Sequence, residues 1–152
     1  MLDNGFPIRA FSVALPPVKQ IDVFLDFVEN DLAPAGINTL VVRVNWVYDF
    51  ESRPELADPD GWNRSLAGRL AALCRAKGIR LVPLINLLGH QSWHGKAGKL
   101  LQVYPQFDEK PRVKLPENYV WPNPDRLYCK SYCPNHPEVH DVVFDCVDEV
   151  VE

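Results

Sequence analysis

The chain has 152 residues, a net charge of −4 and 47% hydrophobic residues, which fits one globular domain with a substantial core. It carries no Lys/Arg cluster, so the sequence gives no support for a nucleic-acid or membrane partner. No window approaches the ~18 consecutive apolar residues of a membrane span. Residues 1–6 lack the basic and apolar regions of a secretory signal, so we expect a cytoplasmic protein or an exported one whose signal was removed.

The first half of the chain alternates strand-like and helix-like apolar patterns. Residues 8–15 favour a first strand, and apolar spacing of i, i+3, i+4 and i+7 predicts a helix that ends near Leu32. A nearly continuous apolar run predicts a second strand over residues 37–47, of the kind covered on both faces in parallel sheets. A second helix is predicted over residues 63–77, and Gly78 fits the left-handed residue that follows a helix.

The second half begins with a third predicted strand, residues 79–87, in which Pro83 is unusual for a central strand. A long ordered loop rich in Pro and Gly is expected over residues 88–136. The last helix is predicted to begin near Pro137 with Asn135 as its cap. The order β-α-β-α-β-long loop-α predicts an α/β fold with parallel strands, either a barrel or an open doubly wound sheet.

The last helix has a wide apolar stripe that needs a sheet to cover, so further strands are expected. We therefore predict that the whole chain is one partial domain, the N-terminal part of a (β/α)8 barrel, since a complete barrel needs about 250 residues. An unclosed parallel sheet leaves an open edge strand, which predicts self-association through that edge.

Polar and aromatic side chains follow the second and third predicted strands, where parallel α/β folds place their sites. Asn45 follows the second strand, and Asn86, His90 and Trp93 follow the third. Hydrogen-bonding groups beside an aromatic face suit a sugar ring, so we expect these residues to contact carbohydrate. Further aromatic residues could stack on sugars or anchor loops: Trp46, Tyr104, Trp121 and Tyr128.

Cys129, Cys133, His136 and His140 are weak candidates for a metal site. The spacing between the second cysteine and the first histidine is too short for a zinc finger. Buried thiols and a histidine at a helix start are the simpler reading. Four thiols in a domain of this size do not demand a disulfide framework.

Asp148 and Glu149 look like a catalytic carboxylate pair, but their positions on the last helix indicate a solvated acidic face shared with Asp145 and Glu152. The sequence has no Gly-rich phosphate loop, no Gly-x-Ser-x-Gly nucleophile elbow and no His-Glu-x-x-His motif. The predicted chemistry therefore depends on the segment after the third strand.

Several segments resemble the N-terminal half of the catalytic barrel of family 20 glycoside hydrolases, the β-N-acetylhexosaminidases. Residues 9–13 resemble the family's first strand with its sugar-binding arginine, which the resemblance assigns to Arg9. Residues 36–40 resemble its "K-x-N-T" segment, and residues 104–107 its "Y-P-E-L" segment. The most specific match is residues 82–90, Val-Pro-Leu-Ile-Asn-Leu-Leu-Gly-His, which is similar to "I-P-E-I-D-x-P-G-H".

The chain departs from the family pattern in two segments. After the third strand, Leu84 and Asn86 replace its Glu and Asp, and Leu88 replaces its Pro; after the second strand, residues 43–46, Arg-Val-Asn-Trp, stand where the family usually has "H-x-x-D". This indicates a divergent branch. The resemblance implies substrate-assisted retaining hydrolysis of N-acetylhexosamine glycans, with a catalytic Asp-Glu pair beyond Glu152 and no metal or organic cofactor. A non-catalytic carbohydrate-binding or structural α/β domain remains the alternative.

Overall fold

The computed structural model of the chain describes residues 5–93, 95–115 and 128–152. These residues form two compact units that are each discontinuous in sequence. The first unit comprises Met1–Asp49 and Asp58–Ile85, and the second comprises Phe50–Ala57 and Asn86–Glu152. Trp121 lies outside the described residues. Among those that are described, no helix has both the length and the apolarity to cross a membrane.

The first unit is built on a parallel sheet of strands β1 (Ala10–Ala14), β2 (Thr39–Arg43) and β3 (Arg80–Leu84). Strand β2 lies in the middle, paired in parallel with both neighbours. Parallel neighbours require a crossover connection between successive strands. The predicted α/β class with parallel strands is therefore confirmed.

Helices form both crossovers of this unit. Helix α1 (Ile21–Phe27) follows a 3-10 turn and continues through a π-helical turn, Val28–Leu32, so the predicted end near Leu32 is confirmed. Helix α2 spans Arg64–Ala76 and begins where the Asn63 side chain accepts a hydrogen bond from the Leu66 amide, at 3.0 Å.

The core of the first unit is apolar and includes one aromatic pair in an edge-to-face arrangement, Phe24 and Trp62, with ring centroids 6.2 Å apart. The Trp62 indole N–H donates to the Pro16 carbonyl at 2.7 Å, which satisfies the one polar atom of that ring. The buried residues of this unit are Ile21, Phe24, Val28, Leu32, Leu40, Val42, Val44, Tyr48, Trp62, Leu70, Cys74 and Ile79.

All three strands are shorter than predicted. Strand β2 ends because Asn45 adopts a left-handed φ of +44°, which breaks the extended run that hydrophobicity alone suggested. The apolar residues beyond it lie in a turn. Pro83 is tolerated in β3 because the backbone amide of Arg80, three residues earlier, points to the β2 side and donates to the carbonyl of Asn38, the residue before β2, at 2.9 Å. Alternation then turns the Pro83 nitrogen to the opposite side, where no described strand pairs with it.

The second unit contains more regular structure than the predicted long loop. Strands β4 (Ser92–Trp93) and β5 (Lys96–Ala97) form an antiparallel pair. Helix α3 (Lys99–Val103) leads into a 3-10 turn at Pro105–Phe107, and helix α4 spans Val139–Val151. The core beneath these elements consists of Phe50, Leu56, Leu100, Leu101, Phe107, Tyr132, Val139, Val142, Val143 and Cys146.

The last helix begins close to the predicted position near Pro137, but its predicted cap is wrong. Helix α4 begins at Val139, and Asn135 does not cap it. Instead, the His136 imidazole Nδ1 accepts a hydrogen bond from the Glu138 amide at 3.3 Å. The N-cap residue is Glu138, and its side chain makes no capping hydrogen bond.

Candidate functional site

Three rings of the second unit form a cluster on the segment that follows β3. The Tyr128 ring stands edge-to-face against His90, with centroids 5.8 Å apart, and against Trp93, with centroids 6.2 Å apart. All three side chains are exposed, and about half of Trp93 is accessible. We call these residues the aromatic cluster. An exposed indole face beside an imidazole and a phenol can stack on a sugar ring and hydrogen-bond its hydroxyls.

The backbone beside the cluster is held by Gln91, which is completely buried. Its side-chain amide donates to the carbonyls of Asn86 at 2.5 Å, Leu87 at 3.0 Å and Gly89 at 3.2 Å. His90 takes a left-handed φ of +56° at the turn that results. Gln91 thus fixes the direction in which His90 leaves the backbone. Among the described residues, its Oε1 atom has no hydrogen-bond partner.

Sequence reasoning missed Gln91 as an organising residue. The only available signal was an amide between the predicted contacts His90 and Trp93, and an amide at such a place is as easily a ligand contact. Of the predicted contacts, Asn86 is brought into this loop through its carbonyl.

A second segment keeps the cluster assembled. The backbone amide of Gln91 donates to the Lys130 carbonyl at 2.9 Å, and the backbone amide of Lys130 donates to the Ser92 hydroxyl at 2.7 Å. The Tyr132 amide donates to the Leu88 carbonyl at 3.1 Å. These bonds lay residues 128–132 along residues 88–92, which explains how Tyr128 comes to lie between His90 and Trp93.

Asn45 lies in the first unit, in the turn after β2, and its side chain is half-buried. The left-handed backbone conformation is one that Asn adopts more readily than most residues. This position is at the carboxyl end of the strands, as predicted. Its contact with sugar remains a prediction.

Arg9 lies immediately before β1, at the amino-terminal end of the strands of the same sheet. Its guanidinium donates to the Gly36 carbonyl at 2.5 Å and to the Phe6 carbonyl at 3.1 Å, which ties the chain before β1 to the turn before β2. Sites in parallel α/β folds lie at the carboxyl ends of strands. These two hydrogen bonds give Arg9 a structural role, and its contact with sugar remains a prediction.

The four metal-ligand candidates do not form a cluster. The His136 ring packs on Phe107 at 4.8 Å, and the His140 ring stacks on Phe144 at 5.4 Å. Cys129 and Cys133 are unpaired and half-buried. Within the described ranges, no group of three or more His, Cys, Asp or Glu side chains is placed to hold a metal ion.

The buried thiols are poor nucleophiles. Burial raises the pKa of Cys74, and it raises the pKa of Cys146 to about 12. The thiolate is the reactive form of cysteine, so neither sulfur is available for nucleophilic chemistry near neutral pH.

The carboxylates of α4 hold a loop instead of forming only a solvated face. Glu149 accepts hydrogen bonds from the backbone amides of Glu51 at 2.9 Å and Ser52 at 2.8 Å, one through each carboxylate oxygen. Asp145 binds the Arg53 guanidinium at 2.5 Å. The predicted solvated face is thus only partly correct, because two of its members carry specific contacts.

The same loop is held from a second side by a hydrogen bond from the Tyr104 hydroxyl to the Glu55 carboxylate. This bond lowers the pKa of Glu55, against the opposing effect of burial, and burial together with Glu55 raises the pKa of Tyr104. A carboxylate with a lowered pKa stabilises the fold above its unfolded pKa. This contribution is therefore present at neutral pH and is lost as the pH falls through the lowered pKa of Glu55.

The Glu149 contacts predict a local change in backbone protection. Glu149→Ala removes the acceptors of two amides, so we expect amide hydrogen exchange at Glu51 and Ser52 to accelerate by about tenfold, the equivalent of roughly 1.4 kcal/mol for a charge-assisted hydrogen bond. Exchange resolved by NMR measures this effect. Asp148→Ala is the matched control, and equal exchange in the two variants would contradict the assignment.

No protein-family model matches the chain, and no curated protein matches its sequence. Its structure does match solved structures. A chitobiase from Flavobacterium johnsoniae superposes with a TM-score of 0.70 at 20% identity, over 96% of this chain and 22% of that chain. A β-N-acetylhexosaminidase from Bacteroides fragilis gives a TM-score of 0.66 at 15% identity, over 95% and 29%.

A family 20 β-N-acetylhexosaminidase from Streptomyces coelicolor gives a TM-score of 0.65 at 16% identity, over 95% of this chain and 30% of that chain. The chain thus spans less than a third of the length of each of these three structures. At these identities the likeness establishes the fold. The chain is an α/β domain with the fold of part of a family 20 glycoside hydrolase, and the resemblance predicted from its sequence is confirmed at that level.

Proposed function

We propose that this chain is the carbohydrate-binding part of a glycoside hydrolase that acts on N-acetylhexosamine-containing glycans. The observation that carries the proposal is the aromatic cluster, placed directly after β3 in a fold shared with family 20 enzymes. The proposed reaction is substrate-assisted retaining hydrolysis, in which the substrate's own acetamido group attacks the anomeric carbon. The Asp-Glu pair for this step is expected beyond Glu152, so the chain alone is expected to bind sugar without cleaving it.

The end of β3 and the residues after it lack the two carboxylates of the family pattern. Leu84 and Asn86 stand where the family pattern has Glu and Asp, so this segment offers amide and ring groups in place of carboxylates. His90 and Trp93 are the proposed sugar contacts, with Asn86 and Asn45 as further candidates. Self-association through an open edge of the sheet belongs to the same proposal, because in the described residues β1 and β3 each pair with one neighbour only.

Binding of N-acetylglucosamine to the chain tests the proposal. We expect Trp93→Ala to weaken binding by about tenfold, because a stacked aromatic contact is worth roughly 1 kcal/mol or more. Isothermal titration calorimetry measures the dissociation constants. Phe144→Ala removes another exposed ring of the same unit and is the matched control. Equal losses in the two variants, or no binding by the unsubstituted chain, would contradict a role for the cluster.

The alternative function is a carbohydrate-binding domain without catalysis. Assay of the full-length gene product with p-nitrophenyl N-acetyl-β-glucosaminide separates the two functions. Turnover with release of the β-anomer supports the retaining glycosidase. Sugar binding without turnover favours the non-catalytic domain.

A further inference from the structure

A small polar recess lies in the second unit beside the aromatic cluster. Its walls come from residues 108–110 and residues 128–131, and its volume is about 160 Å³. Drug-sized ligands occupy pockets of roughly 300–1,000 Å³, so this recess is limited to a single small ring. Tyr128 belongs both to this recess and to the aromatic cluster.

The residues that line the recess include an ion pair that is largely buried. The Lys130 ammonium lies 2.7 Å from the Asp108 carboxylate, with 6% and 14% of the two side chains exposed. The ammonium also donates to the Lys110 carbonyl at 2.5 Å. An ammonium has three N–H donors. The third has no protein partner in the part of the chain that the structure describes, so it can donate to a ligand.

The charges of the recess select for a neutral occupant. Asp108 and Glu109 balance Lys110 and Lys130, so the walls carry no net charge and do not favour a phosphate or a carboxylate. The Glu109 carboxylate and the Ser131 hydroxyl add hydrogen-bonding groups, and the Glu109 amide already binds the Ser131 carbonyl at 3.0 Å. Charged and hydroxyl groups with unused hydrogen-bonding capacity suit the hydroxyls of a sugar.

We propose that this recess is a second sugar subsite, next to the aromatic cluster across Tyr128. The chain would then bind a disaccharide or longer glycan in preference to a single sugar. This inference rests on the proposed carbohydrate function and adds to it the length of the ligand. Glu109, Ser131 and the third N–H of Lys130 would bind the hydroxyls of the second ring.

The test compares N-acetylglucosamine with its β-1,4-linked dimer by titration calorimetry. We expect the dimer to bind about fivefold more tightly, the equivalent of roughly 1 kcal/mol for one added hydrogen bond. The double substitution Glu109→Ala/Ser131→Ala is expected to remove this advantage and to leave binding of the monosaccharide unchanged. Both side chains are accessible to solvent at least in part, so the fold should tolerate their loss. Glu138→Ala, an exposed acid outside the recess, is the matched control.

Amide NMR spectra locate the second ring. The dimer, but not the monosaccharide, should shift the amide signals of Glu109, Cys129 and Ser131. Equal affinity for the two sugars, or an advantage that survives the double substitution, would overturn the subsite while leaving the proposed function intact. Failure of both sugars to bind would overturn the proposed function and the subsite together.

Discussion

Gly61→Ala is expected to destabilise the chain by about 2 kcal/mol or more, because overpacking against rigid neighbours carries a cost of this size. A Cβ at this position would lie 2.5 Å from the Val47 carbonyl oxygen and 2.7 Å from the Asp58 carbonyl oxygen. Neither oxygen can retreat easily. The Val47 oxygen accepts the Trp62 amide at 2.8 Å, and the Asp58 oxygen accepts the Gly61 amide at 2.8 Å.

Gly68→Ala is the matched control, with an effect of opposite sign. A Cβ at Gly68 meets no atom within 4 Å, and the residue lies inside helix α2. Alanine in a helix interior is favoured over glycine by roughly 0.5–1 kcal/mol, so this variant should gain stability. Urea unfolding followed by circular dichroism measures both changes. If Gly61→Ala is as stable as Gly68→Ala, the turn at residues 58–61 is not packed as described.

Lys130→Met is expected to cost about 3 kcal/mol, because it leaves the largely buried Asp108 carboxylate without its counter-charge. The apolar side chain retains most of the lysine's volume, so the loss measures the ammonium group, with its charge and its hydrogen bond to the Lys110 carbonyl, and not the packing. The double variant Lys130→Met/Asp108→Asn removes both charges and should recover most of the lost free energy. Urea unfolding curves provide the comparison. A single variant as stable as the double variant would show that Asp108 is well solvated.

Features set by near neighbours in the chain could be predicted from the sequence. Gly78 adopts the predicted left-handed conformation, with a φ of +69°, and the limits of α2 agree with prediction to within a residue or so. Such signals act over a few residues, where the apolar period and local backbone preferences decide the conformation.

The parts that could not be predicted depend on distant partners. The helix face of Glu149 predicts a solvated acid, but its partners are the backbone amides of Glu51 and Ser52. Every residue except proline has a backbone amide, so the sequence does not indicate which amides a carboxylate will bind. The resemblance assigns Arg9 to a sugar contact. Only the sheet shows that Arg9 precedes β1, at the end of the strands opposite to Asn45. His90 and Trp93 were predicted as neighbours in sequence, whereas the ring that joins them, Tyr128, follows 35 or more residues later.

The division of the chain also sets an order of events during synthesis. Phe50–Ala57 emerges from the ribosome early, yet the carboxylate that binds it lies 98 residues after Glu51. Until α4 has been translated, the amides of Glu51 and Ser52 lack the carboxylate that they bind in the folded chain. Non-local pairings of this kind slow folding, since a long loop must close before the contact forms. The nascent chain can therefore complete the pairing of β1, β2 and β3 well before this loop acquires its final conformation.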